Sequence, residues 1–250
     1  MRLRNTYPDT VFRRRQTVRQ KQVLQYAYCN NNPVNRIDPT GMDDYRFDDK
    51  TGQFHLMKSN DDKTDKVIAY HQDKKTGEWV KNDKWYQTKT RMDNIEKGIL
   101  KDGINFKEKD VIIEVGGEGK ASVEGVKSFT LQFSELIRKE IKGFSYSSNG
   151  SGKVTDMLLG KYINNDFTHS KGSIAELIKK HGDKFSFNNV LQEFHTHPNG
   201  ELGATQSNPE LSGDVTTLHK DKPKIPNASF IILYRVAGLV TPAEYDYTHE

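Results

Sequence analysis

From residue 128 onward the sequence reads as helix, strand, strand, helix, strand, helix, strand, an order that predicts an α/β layered fold. Three observations predict it. Phe129, Phe133, Leu136, Ile137 and Ile141 recur at the spacing of one helix face, which predicts an amphipathic helix over residues 128–141. Residues 190–194 and 230–236 are short apolar runs, the second nearly continuous, as expected of buried strands. Residues 173–181 read as a second helix, with Ser173 standing three positions before Glu176 in the pattern of a capping box.

Taken in order, the chain opens with an arginine-rich stretch, Arg13 to Arg15 with Arg19 and Lys21, and a short apolar and aromatic run at residues 24–28. Asn30-Asn31-Asn32-Pro33 and Asp38-Pro39-Thr40-Gly41 come next, both built of turn formers. Residues 43–110 alternate aromatics with charges and are punctuated by Lys50-Thr51-Gly52 and Lys75-Thr76-Gly77, the marks of small hairpins. Residues 111–115, Val-Ile-Ile-Glu-Val, predict a strand. The glycine-rich Gly116-Gly117-Glu118-Gly119 behind it looks like the turn of a methyltransferase cofactor site, but such a turn should run straight into a helix. Residues 120–125 are instead polar and hold a further glycine, so this stretch reads as a turn joining a β-rich connector to the domain. Strands are expected at 143–146 and 154–162. A last helix starts near Asp214, set by Pro209, Val215 and Leu218. The expected division is residues 1–42, a connector over 43–120, and a domain over 121–250.

At 250 residues and 28.7 kDa the chain has room for one large domain or two small ones. Hydrophobic residues make up 34%, charged residues 29%, and the mean hydropathy is −0.83, so a modest core with polar appendages is expected. No run approaches the ~18 residues of unbroken apolar sequence that cross a bilayer. The first residues carry charge and no apolar core, so no export signal of the chain's own and no membrane span are expected. The single cysteine, Cys29, excludes an intramolecular disulfide and any Cys-rich zinc ribbon, leaving histidine and carboxylate as metal donors. Residues 1–42 hold eight Lys and Arg against two acids, whereas the remaining 208 residues carry 30 basic and 32 acidic side chains. A phosphate-gripping module concentrates its positive charge on the folded part, so nucleic acid is not the expected partner.

Chemistry concentrates in Glu193-Phe194-His195-Thr196-His197-Pro198. Strand alternation sets His195 and His197 on one face, where two imidazoles can converge on one ion, and Pro198 ends the strand. Ser212-Gly213-Asp214 then offers a hard oxygen donor at a helix start. Catalytic zinc takes three protein ligands and keeps a fourth position open, a description that His195, His197 and Asp214 fill. Ser207-Asn208-Pro209-Glu210 offers Glu210 as a second choice for the third ligand. A hydrolytic site also needs a carboxylate that handles the proton of water without binding the ion. Glu140, at the end of the predicted amphipathic helix, is the candidate. Zinc deaminase chemistry would need a Pro-Cys-x-x-Cys that this sequence lacks.

Two resemblances extend this reading. The stretch from Tyr26 through Asn30-Asn31-Asn32-Pro33 to Asp38-Pro39-Thr40-Gly41 resembles the signature that closes the repeat shell of RHS/YD-repeat proteins. That resemblance implies that residues 1–42 end such a shell, and that the residues beyond it form a variable effector or toxin domain of a bacterial RHS protein, secreted or delivered into a target cell. It also implies a cognate immunity protein as a partner beside the shell itself. Residues 125–240, with Glu140-x-x-Gly143, then His195-x-His197-Pro198, then Ser212-x-Asp214, are similar to the JAB1/MPN/JAMM metalloproteases. The family's Ser-x-x-Asp is one residue tighter here and the loop after Pro198 is longer. The resemblance implies a three-layer α/β domain, Zn2+ held by His195, His197 and Asp214, and Glu140 as general base and acid. Ser212 or Ser207 would steady the oxyanion. The implied reaction is hydrolysis of an amide or isopeptide bond, with ubiquitin-like conjugates as the substrate class. A metal-dependent nuclease and a non-catalytic interaction module are the readings from other classes.

Overall fold

The turn after the first strand shows how local sequence sets this fold. Strand β1 (Met42–Asp48) and strand β2 (Gln53–Asn60) pair antiparallel around it. The Asp48 carboxylate accepts hydrogen bonds from the backbone N–H of Lys50 (2.9 Å) and Thr51 (3.3 Å), and the Gly52 N–H donates to the Asp48 carbonyl. The same arrangement recurs where Asp73 accepts from Lys75 and Thr76 and its carbonyl from Gly77, between β4 (Tyr70–Gln72) and β5 (Trp79–Lys81). Both are Asp-x-Lys-Thr-Gly, in which the aspartate replaces water at the turn's orphan donors. The hairpins expected at these two motifs are therefore present.

The protein is described by a computed structural model over residues 42–60, 64–82, 90–162, 173–198, 212–239 and 241–249. The arginine-rich stretch and the Asp38-Pro39-Thr40-Gly41 sequence lie outside the described residues. Residues Met42–Glu250 form one compact unit. In it β3 (Thr64–Ile68) runs parallel to β1 and β6 (Thr90–Glu96) antiparallel to β3, giving a four-stranded sheet of order β2-β1-β3-β6. The second sheet has six strands in the order β12-β11-β10-β8-β9-β7. These are β7 (Val111–Glu114), β8 (Lys142–Tyr146), β9 (Asp156–Leu159), β10 (Val190–His197), β11 (Ser229–Tyr234) and β12 (Ala243–Asp246). Among the described residues three α-helices accompany them: α1 (Val123–Ile137), α2 (Ala175–His181) and α3 (Ser212–Asp221). The protein is thus mixed α/β, with strands predominating, and no helix among the described residues is long and apolar enough to cross a membrane.

Strand alternation divides the core in two. Met157, Leu159, Ile231 and Leu233 point to one side of the six-stranded sheet, whereas Leu158, Phe230 and Ile232 point to the other. On the first side α1 packs against β9, β10 and β11, and its own other side meets β6 of the four-stranded sheet. Phe129 and Phe133 of α1 join Phe47, Phe54, Phe106 and Tyr162 in one ring cluster, with Phe133 edge-on to Phe47 at 5.3 Å and stacked on Phe129 at 5.7 Å. The core is therefore continuous across residue 120. On the second side Leu177 of α2 and Leu218 of α3 cover the sheet.

Several boundaries differ from the sequence expectation, each for a local reason. Helix α1 starts five residues before Ser128, because Ser122 caps it: its Oγ accepts from the Gly125 N–H at 2.9 Å. Gly125 is inside the helix because a Cβ there would lie 2.3 Å from the Glu96 carboxyl carbon, and Glu96 holds both the N–H and the hydroxyl of Ser122. The helix ends at Ile137, where Arg138 turns left-handed (φ 55°), so Glu140 lies in the link to β8 and not at the helix end. The glycine turn after β7 does lead into α1, yet β7 is an edge strand antiparallel to β9, without the parallel neighbour of a dinucleotide-binding crossover. Ser173 does not close a capping box. Its Oγ accepts from the Ala175 N–H, and Ile174 at the helix start makes no side-chain cap. The strand expected over 154–162 narrows to β9, since the chain leaves the sheet after Gly160 to bond Phe106 through Tyr162. The run at 190–194 extends to His197, and β12 had no sequence signal.

Candidate metal centre

Strand β10 carries a register irregularity between Val190 and Gln192, after which it pairs with β8 in the steps Glu193–Phe144, Phe194–Gly143 and His195–Lys142. That bulge resets the parity of the strand. Phe194 goes to the α1 side, and Glu193, His195 and His197 go to the α3 side. The strand end is pinned by Thr196, whose N–H donates to the Ile141 carbonyl at 3.1 Å and whose Oγ1 accepts from the Ile141 N–H at 2.9 Å. Glu140 precedes Ile141 in the link that leads into β8.

Helix α3 brings Asp214 to this face in its first turn, where a carboxylate is favoured by the helix dipole. The Nε2 atoms of His195 and His197 are 3.2 Å apart. Asp214 Oδ1 is 3.4 Å from His195 Nε2, and Oδ2 is 3.8 Å from His197 Nε2. Donors at ~2.0–2.1 Å from a tetrahedral ion lie roughly 3.3 Å from one another, so the three atoms already have nearly the mutual spacing of bound ligands. Among the described residues this is the one group of three such side chains that could hold a metal ion. Burial would raise the Asp214 carboxyl, but the hydrogen bond and charge of His195, with the charge of His197, hold it below the usual range. It therefore stays ionised as a ligand must. Two imidazoles and one carboxylate suit zinc, and the same set also serves non-haem iron.

A second polar group supports this face. Lys142 Nζ is 2.5 Å from Glu193 Oε1 and 3.2 Å from Asp221 Oδ2, and Asp221 is also held by Lys224 at 2.8 Å. Glu193 is 2% exposed, and burial pushes its carboxyl up while Lys142 opposes the shift. The Tyr247 ring stands edge-on to His195 at 6.0 Å, and burial, with the charge of Glu193 next in weight, pushes its phenol up. Sequence reasoning missed Lys142, Asp221 and Tyr247. Lys142 heading the apolar strand and the seven-residue spacing of Asp214 and Asp221 were available signals, whereas Tyr247 had none. Ser207 and Glu210 lie outside the described residues, as does the side chain of Ser212.

Comparison of the chain with family models, with curated proteins and with solved structures found no match.

Proposed function

We propose that residues 121–250 carry a JAB1/MPN/JAMM-type zinc peptidase or isopeptidase, the effector or toxin domain of an RHS-type secreted protein. The observation that carries this reading is the convergence of His195 and His197 from one strand with Asp214 from a helix start. Glu140 directly precedes Ile141, whose N–H and carbonyl are held by Thr196 between the two histidines, and this supports it as the proton carrier. A bound zinc ion supplies Lewis acidity, lowering the pKa of water to about 7 and polarising a carbonyl. The Glu140 carboxylate takes a proton from the attacking water and passes it to the leaving amine nitrogen. Ser207 or Ser212 donates a hydrogen bond to the oxygen on which negative charge develops. The substrate is an amide or isopeptide bond in a protein, with ubiquitin-like conjugates as the class to try first. A cognate immunity protein is the expected partner in the producing cell.

The test is elemental analysis of the purified chain joined to a screen of peptide and isopeptide substrates, with Glu140→Gln as control. About one zinc per chain and a hydrolysis that Glu140→Gln abolishes is the expected result. A zinc-free chain with no hydrolysis, or a hydrolysis indifferent to Glu140, overturns the reading.

A further inference from the structure

We propose that Lys142 is a positioning residue for the metal group, tying Asp221 at the end of α3 to Glu193 on β10 and so setting where Asp214 stands against the two histidines. The inference rests on the metal reading of His195, His197 and Asp214, but not on any particular reaction.

Helix α3 has little apolar surface with which to fix its own position. Among its described side chains only Leu218 is fully buried, at 3% exposure. Asp214, Leu218 and Asp221 are spaced i, i+4, i+7, so they form one stripe, with the two carboxylates roughly 10 Å apart along the axis. A single leucine can hold a helix near a sheet, but it leaves rotation and sliding weakly specified. The carboxylates supply what is missing. Asp214 meets His195 and His197, and Asp221 meets Lys142, which also pairs with the buried Glu193 carboxylate two residues before His195. Lys142 also stands opposite His195 in the β8–β10 register. Its side chain is 13% exposed, so the attraction acts with limited water screening. One ammonium thus joins the strand beside the histidines, the strand that bears them and the helix that bears the third donor. Groups that orient first ligands typically cost ~10- to 100-fold in metal affinity when removed.

Removing Lys142 strands the buried Glu193 carboxylate and can cost folding on that account. Asp221→Asn is the decisive variant because it leaves the Lys142–Glu193 pair intact. Zn2+ and Co2+ affinities would be measured by competition with a chromogenic chelator, with the Co2+ visible spectrum reporting coordination and thermal unfolding of the metal-free proteins run beside them. Asp221→Asn and Lys142→Met should each weaken binding ~10- to 100-fold, and the double variant should be no weaker than Lys142→Met alone. Lys142→Arg should recover most of the affinity. Lys180→Met, which breaks ion pairs to Glu114 and Asp156, should lose stability without losing metal. Wild-type affinity in Asp221→Asn and Lys142→Met overturns the proposal while leaving the metal site intact, as does an equal loss in Lys180→Met. A wild-type chain that binds neither ion overturns the metal reading itself.

Discussion

Gly143 lies against the ring of Phe194: a Cβ built on Gly143 would sit 2.3 Å from Phe194 Cζ, and the two residues are register partners across β8 and β10. The Phe194 ring can lie over β8 at this step because Gly143 has no side chain there. The glycine three residues after Glu140 is thereby explained by packing. Gly143→Ala should overpack this contact and cost ~1–3 kcal/mol in denaturant unfolding. Phe194→Leu in the same chain should return part of that loss. A fully additive pair would mean that the two residues do not press on one another.

A second expectation concerns the ring cluster. Phe133 is fully buried among Phe47, Phe54, Phe106, Phe129 and Tyr162, rings drawn from both sides of residue 120. Phe133→Ala should cost ~3–5 kcal/mol. Far-ultraviolet circular dichroism and tryptophan fluorescence should report a single transition that shifts together. Residues 121–250 expressed alone, without Phe47, Phe54 and Phe106, should fail to unfold cooperatively. A well-folded fragment with wild-type stability would show that the cluster is not shared in energy, only in space.

How much of this is legible in the sequence depends on whether a residue's partner is near along the chain. The two Asp-x-Lys-Thr-Gly turns are closed by bonds within five residues, so the hairpins can be read directly. His195 and His197 share a face by alternation alone, and Asp214 stands out at a helix start. Gly125 reads as a turn residue because its reason is Glu96, distant in the chain, whose carboxylate leaves no space for a Cβ. Glu140 reads as a helix end because Arg138 gives no sign that it will turn left-handed. Lys142 and Tyr247 matter through partners on β10 and α3, and no local pattern carries such pairings.

The pH dependence of stability should have an identifiable source away from the metal group. Asp65 on β3 is 2% exposed, and burial pushes its carboxyl up to about 6, against the Asp43 N–H at 3.2 Å and Lys97 at 3.7 Å, which favour the charged form. A carboxyl raised on folding stabilises while it is protonated. Its contribution is fully present below the ordinary value near 3.9 and is lost as pH rises through about 6. Asp65→Asn cannot titrate, so its stability relative to wild type should climb between pH 4 and pH 8 by on the order of 2–3 kcal/mol. Urea unfolding across that range measures the difference. A flat difference would mean that Asp65 ionises in the folded chain as freely as in the unfolded one.

Loss of any one donor should empty the metal group. With His195→Ala, His197→Ala or Asp214→Ala, two donors remain where structural and catalytic zinc sites use three or four. Elemental analysis after dialysis should find no stoichiometric metal in any of the three. Glu210→Ala should keep it, as Asp214 already stands within 3.8 Å of both imidazoles. The same measurement identifies the ion: iron in place of zinc would move the chemistry from hydrolysis toward oxygen activation.

The last prediction separates the proton carrier from the groups that hold the metal. Glu140 and Glu193 differ in their surroundings. Glu193 is nearly fully buried and engaged by Lys142 at 2.5 Å, so its carboxylate serves an ion pair and is shut off from water. Glu140 lies in the link before β8, partly exposed, next to Ile141, which bonds Thr196 of β10. Glu140→Gln keeps size and hydrogen bonding but cannot take a proton. It should bind metal as the wild type does and lose at least about 10²-fold in turnover, a loss that added metal does not recover. Glu193→Gln should instead weaken metal binding through Lys142, and excess metal should restore its turnover. If excess metal rescues Glu140→Gln while Glu193→Gln stays inactive, the base is Glu193 and the position of Glu140 before β8 has no catalytic meaning.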